Sequence, residues 1–292
     1  MNKSIKILLL AIAMTIAIGG TLFFIKTIVS PPGPITFSNQ FESAFNDHFN
    51  NFKNGSPSNL ESDFKSITDL AERFKEESVI DDKTFDKNYI DIIGVYAPKF
   101  ASYCLDQFQK SEWNEKDHSF MIDRINQLRN LTNTAGSLKL MDNYPQQDQT
   151  FTLIISTINK YKNAKSLATK TTFISIEDSK SKISKARDYK NDTYLRNNVS
   201  LVNALNKLPY RLEESHYKSL SNKIHSLAHF RSLSYDEFLQ KGKNTYDAIN
   251  NYKNNAHDTY GISESEVNSR FSALNKELTR IANEADEYFD YY

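Results

Sequence analysis

Few residues in this chain can end a helix. Its 292 residues include only 8 glycines, 7 prolines and one cysteine. A globular chain of this length ordinarily holds roughly 20 glycines and 15 prolines. The scarcity of turn formers argues against an all-β fold, and the scarcity of glycine against a glycine-rich phosphate loop. A single cysteine excludes an intrachain disulfide and a cysteine-cluster zinc site. It stands at position 104, so no lipoprotein cysteine follows the N-terminus. The sequence contains no G-x-S-x-G, Walker or dinucleotide-binding pattern. An excess of one charge is also missing, with 36 basic against 36 acidic residues. What is abundant is apolar and aromatic surface, 39% hydrophobic and 12% aromatic, enough for a packed core.

The strongest single signal is at the N-terminus. Residues 7–25 read ILLLAIAMTIAIGGTLFFI, nineteen positions without a charge. As a helix they span roughly 29 Å, the thickness of a bilayer core. Lys3 and Lys6 precede the run and Lys26 follows it. The run exceeds the usual signal-peptide core of about 7–15 residues. A cut after Ala17-Ile18-Gly19 would leave an apolar mature end, so the reading we favour is an uncleaved anchor. A cleaved leader on a secreted or periplasmic protein is the alternative. The lysine bias predicts an N-terminus in the cytoplasm and the rest outside. Pro31, Pro32 and Pro34 then read as a stiff, extended spacer.

Beyond the spacer the apolar residues recur at helical intervals. Phe37, Phe41, Phe45, Phe49 and Phe52 share one face. Ser58 and Glu61 form an expected capping box before Leu60, Phe64, Ile67, Ala71 and Phe74. The segment 83–109 is helical in pattern, and Pro98 should kink it or begin a new helix. Further faces are Met121/Ile125/Leu128/Leu131, Phe151/Ile154/Ile158/Tyr161/Leu167 and Leu195/Val199/Val202/Leu205/Leu208, the last closed by Pro209. Next come Leu212/Leu220/Ile224/Leu227/Phe230 and Tyr235/Phe238/Tyr246/Ile249/Tyr252. Residues 171–176 look strand-like but have no partner strand. The last helix opens on a second expected capping box, Ser263 with Glu266. Val267, Phe271, Leu274, Leu278, Ile281, Ala285, Tyr288 and Tyr292 then alternate at 4 and 3. That is a coiled-coil seam in form. Its flanking positions carry no complementary charges, so packing inside its own bundle is favoured over dimerisation.

The expected fold is all-α: an N-terminal transmembrane helix, then a bundle or irregular array of nine or ten antiparallel helices. The expected organisation is 1–6 cytoplasmic, 7–29 transmembrane anchor, 30–36 proline-rich spacer, 37–136 first helical subdomain, 137–149 loop, and 150–292 second helical subdomain.

Zero net charge hides an uneven layout. Residues 160–190 carry eight lysines and one arginine against three acids, whereas 258–292 carry eight acids against three bases. A solvated lysine-rich helix explains the basic stretch, and no nucleic-acid partner is expected.

Candidate chemistry is sparse. His225 and His229 stand at i, i+4, a spacing that suits one zinc ion. The glutamate of a zinc protease is missing, with Ser226 in its place. His216 lies on an apolar face one turn after Glu213. Trp113 precedes Glu115, Asp117 and His118, an acid–base group that helix-start acids explain as well. His216 and this group are the first candidates if the chain is an enzyme assembled from scattered helix positions. No catalytic residue, metal or cofactor is assigned. The expected function is a membrane-anchored extracytoplasmic module that binds another protein or serves as a scaffold. Its candidate contact residues are the terminal aromatics Tyr288, Phe289, Tyr291 and Tyr292, of which at least one ring should face outward.

Overall fold

A computed structural model describes residues 34–56, 59–134 and 144–291. Every regular element among them is helical. They are α1 (Pro34–Asn54), α2 (Leu60–Glu76), α3 (Asp82–Phe108), α4 (Glu115–Thr134), α5 (Tyr144–Thr169), α6 (Ile176–Asn191), α7 (Val199–Asn206), α8 (Leu208–Leu227), α9 (Tyr235–Tyr260) and α10 (Glu264–Tyr291). Two short 3-10 turns, Leu195–Asn197 and Phe230–Ser232, complete the set. The expected anchor at 7–29 lies outside the described residues. Within them no helix is long and apolar enough to cross a membrane. Helix α1 already includes Pro34, inside the expected spacer, and proline suits a first helical position because its missing N–H has no partner there anyway.

The chain divides into two compact units. One holds the residues up to Leu105 together with Ser119–Thr152, the other Asp106–His118 together with Leu153–Tyr292. One of the divisions, between Thr152 and Leu153, falls three residues past the expected 137–149 loop. Residues 135–143 lie outside the described residues, and α5 has begun by Tyr144.

In the first unit aromatic rings make much of the core. Phe64 and Tyr96 pack with centroids 4.0 Å apart, Phe52 meets Phe64 at 6.4 Å and Tyr96 meets Phe100 at 5.5 Å. Ile67, Ala71, Phe74, Ile92, Met121 and Ile125 are buried beside them. The expected capping box at Ser58 lies outside the described residues. The Glu61 carboxylate is 2.6 Å from Arg124 Nη2 and accepts a short hydrogen bond from the Tyr96 hydroxyl. Lys99 Nζ donates to the carbonyls of Phe52 (2.9 Å) and Gly55 (3.1 Å), satisfying acceptors left over at the end of α1. Helix α3 does not restart at Pro98 but runs unbroken past it. The bond that Pro98 cannot donate is the one to the Gly94 carbonyl.

In the second unit α8, α9 and α10 form a three-helix bundle. Phe289 near the end of α10 packs on Tyr235 and Phe238 at the start of α9, so these two run antiparallel. Helix α8 packs along α9 and is joined to it by only the residues 228–234, so these two are antiparallel as well. The α10 seam faces this bundle: Val267, Leu274, Ile281 and Ala285 are all buried. Tyr246, expected on the inner face of α9, is instead 50% exposed, and Thr245 takes the buried position. Pro209 opens α8 rather than closing the helix before it. The preceding segment is a 3-10 turn and a separate short helix, capped by Asn198 accepting from the Leu201 N–H at 2.8 Å. Residues 170–175 form no strand and pair with none. Gly261 ends α9 with φ 70°, a conformation that favours glycine. A complete capping box sits at Ser234 and Glu237. The expected one at Ser263 is half formed: Ser263 accepts from the Glu266 N–H, but the Glu266 carboxylate turns to Arg270.

Gly94 lies inside α3, and a Cβ there would meet nothing within 4 Å. Gly94→Ala is therefore expected to stabilise the fold by about 0.5–1 kcal/mol, the helix-interior cost of glycine. Urea unfolding checks this, and a lowered midpoint would contradict the open space.

Candidate functional site

The densest cluster of buried titratable groups is built on α8. Leu212, Leu220, Ile224 and Leu227 bury one stripe of this helix, and the same stripe carries Glu213 and His216 inward. Glu213 is fully buried. The Tyr252 hydroxyl donates to its Oε1 at 2.5 Å, and Arg270 Nη1 lies 2.6 Å from its Oε2. Arg270 also binds Glu266 at 3.0 Å and lies 5.2 Å from the Tyr217 ring centre. Burial pushes the Glu213 carboxyl above its usual range, against the pull of the Tyr252 hydroxyl and the guanidinium. Burial likewise pushes the Tyr252 phenol up.

His216 has different partners. Its Nδ1 and the Tyr260 hydroxyl share a hydrogen bond of 3.0 Å, and Tyr260 reaches Ser179 Oγ at 3.4 Å. Phe173 stacks on the imidazole at 3.7 Å, nearly parallel at 6°. That ring is held in place by its backbone N–H, which donates to Ser215 Oγ at 2.9 Å. Burial drives the His216 pKa down to about 4. At neutral pH it is a neutral ring roofed by Phe173. Outside the roof lies an open groove of about 470 Å³ lined by Thr172, Phe173, Ser215, Ser219 and two lysines, 218 and 223. The carboxylate is thus held by a guanidinium and a phenol, while the imidazole is held by another phenol. The arrangement fixes helices against each other.

The acid–base group after Trp113 is equally engaged. Glu115 makes a close ion pair with Lys165 and accepts from the Tyr161 hydroxyl at 3.3 Å. The Lys165 hydrogen bond holds its carboxyl below the usual range. Asp117 accepts from Asn114 at 3.1 Å. His118 is buried among the rings of Phe108, Trp113 and Tyr161, and its Nδ1 has no hydrogen-bond partner. Burial lowers its pKa. Acid and imidazole both touch Tyr161, Glu115 through its hydroxyl and His118 through its ring. Cys104 is buried and its thiol is pushed up to about 12, out of reach of a nucleophile's range.

His225 and His229 do not share a helical face. Helix α8 ends at Leu227, which leaves His229 in the following turn. His225 Nδ1 is 2.8 Å from the Ser221 carbonyl of its own helix. Among the described residues no group of three or more histidine, cysteine or acidic side chains could hold a metal ion.

The terminal aromatics split. Phe289 packs against Phe230, Tyr235 and Phe238, and Tyr288 against Phe230 with Arg231 over its ring. Both are half-buried. The side chains of Tyr291 and Tyr292 lie outside the described residues. The basic stretch also finds partners nearby: Lys160 with Asp192, Lys165 with Glu115 and Lys182 with Asp178. None of these acids belongs to the acidic C-terminal stretch.

Periodicity alone puts Glu213, His216 and Tyr252 on inner faces. It misses Arg270, Tyr260, Ser179 and Phe173. A charged residue one helical turn after an expected capping glutamate, here Arg270 after Glu266, is the one sign in the sequence of a buried pair.

Because the folded His216 pKa is depressed, the unfolded chain binds its proton first as pH falls. Stability should be full above about pH 6.5 and decline toward pH 4, by up to about 3 kcal/mol from this group. His118 adds in the same direction. Urea unfolding of His216→Gln should show a shallower decline than the parent, and an unchanged slope would contradict the buried neutral ring. No family model matches the chain, and neither does any curated protein or solved structure.

Proposed function

We propose that the chain is a membrane-tethered helical module that acts by binding protein surfaces. The observation that carries this reading is the uncharged run at 7–25, long enough for a bilayer core and followed by a proline-rich link into a helical body. The lysine distribution directs the body to the extracytoplasmic side.

Two features of the body support an interaction role. Its buried Glu213 is tied to Tyr252 and Arg270 rather than opened to a cavity. Large apolar side chains remain on its surface, among them Ile174 at 73% exposure and Val199 at 52%. Exposed apolar surface of this kind is common where proteins meet. The reading assigns no substrate, metal or cofactor.

Membrane fractionation tests the tether. The full chain is expected to resist alkaline carbonate extraction, with its body degraded by protease added to intact cells or spheroplasts. Deleting residues 7–25 should release it. A chain that is extracted by carbonate, or whose mature N-terminus starts beyond the run, would overturn the anchored reading. A body shielded until the membrane is broken would overturn the orientation.

A further inference from the structure

Helix α9 carries a stripe that its own unit leaves largely uncovered. Tyr235, Leu239 and Tyr246 are 47%, 46% and 50% exposed. Gly242 stands between them, and a Cβ there would meet nothing within 4 Å. At 100° per residue the four positions fall within an arc of about 60°. The stripe flanks the buried line of Phe238, Thr245 and Ile249.

The spacing is symmetric about a point between residues 240 and 241. Two copies of α9 laid antiparallel across that point bring Tyr235 of each against Tyr246 of the other. They also bring Leu239 of each over the empty space at the other's Gly242. A large side chain then enters the gap that a glycine leaves, which is how helices approach closely. The flanking charges agree with the same register. Asp236 and Lys243 are both exposed on one side of the stripe. In the antiparallel pair Lys243 of one copy lies about 3 Å along the axis from Asp236 of the other, twice over by symmetry. A parallel pair would set glycine against glycine and put the Asp236/Lys243 flanks of the two copies on opposite sides of the contact.

We propose that α9 is a self-association helix whose occupant is a second copy of this chain, paired antiparallel through Tyr235, Leu239, Gly242 and Tyr246. The stripe is small, as befits a weak contact, and confinement of two chains to one membrane would raise their effective concentration. The inference deepens the interaction reading and rests on it, but the two fail separately. A chain that dimerises without membrane attachment would remove the tether and keep the stripe. An anchored monomer would do the reverse.

The test uses the full chain in detergent micelles with Cys104→Ala as background. Tyr235→Cys and Tyr246→Cys chains are co-expressed and oxidised. The expected result is a covalent dimer from the mixture and little from either variant alone. Gly242→Leu fills the gap and should cut the crosslinked yield on the order of tenfold. Circular dichroism should show its helix content intact. Asp236→Lys and Lys243→Asp should each lower the yield, and the double exchange should restore it. A chain that remains monomeric overturns the proposal. So does Tyr235→Cys crosslinking as readily alone as in the mixture, or a Gly242→Leu variant that dimerises as the parent does.

Discussion

A carboxylate with no exposure to water must find its compensation inside the protein. Glu213 finds it on two other helices, in the Tyr252 hydroxyl of α9 and the Arg270 guanidinium of α10. Leucine and isoleucine contacts tolerate small slides along a helix axis. A close ion pair on a buried carboxylate does not, because its energy falls as the charges separate and the carboxylate has no water to turn to instead. The pair therefore specifies one register among the many that the apolar seam of α10 would accept. Removing one partner leaves a buried charge, whereas an apolar replacement of both costs far less. The value of the pair lies in uniqueness more than in net stability.

The same register brings His216 under Phe173 and against Tyr260, which links the segment before α6 to the bundle. Ser179 on α6 is the last member of that chain of contacts. The aromatic cluster of Phe230, Phe238, Tyr288 and Phe289 closes the opposite end. One polar end and one aromatic end thus clamp three helices whose middle is aliphatic. Apart from the contact of Tyr235 with Phe289, the outward side of α9 takes no part in either clamp, which leaves its stripe open to another surface.

Helical periodicity makes most of the elements legible because an apolar stripe must repeat at 3.6 residues to face one core. The α10 seam and the Phe64/Ile67/Ala71/Phe74 face are examples. Punctuation is less legible, since proline can open a helix, end one or sit within it. Pro209 opens α8, where the pattern suggests the close of the helix before it, and Pro98 lies inside α3, where the pattern allows a kink or a new start. Capping boxes mislead for a related reason. Glu266 has the right spacing, but Arg270 competes for its carboxylate more strongly than a backbone N–H does. The interval from Phe238 points Tyr246 inward, whereas Thr245 satisfies the stripe while its hydroxyl bonds the Lys241 carbonyl. The polar network is only half visible in the sequence. Its α8 members share a helix face, but Arg270 and Tyr260 join it through tertiary contacts that no local spacing encodes. The terminal aromatics stand out by composition, yet the core takes two of them.

The register role of Glu213 and Arg270 is tested most directly by a double-mutant cycle on unfolding stability at pH 7, with Glu213→Gln, Arg270→Met and the combined variant. Glutamine keeps an acceptor for Tyr252, so the cycle isolates the charge pair. Arg270→Met alone is expected to cost about 3–5 kcal/mol, with the double variant recovering most of it. Additivity of the two single changes within about 0.5 kcal/mol would contradict the claim that this pair holds the bundle in register.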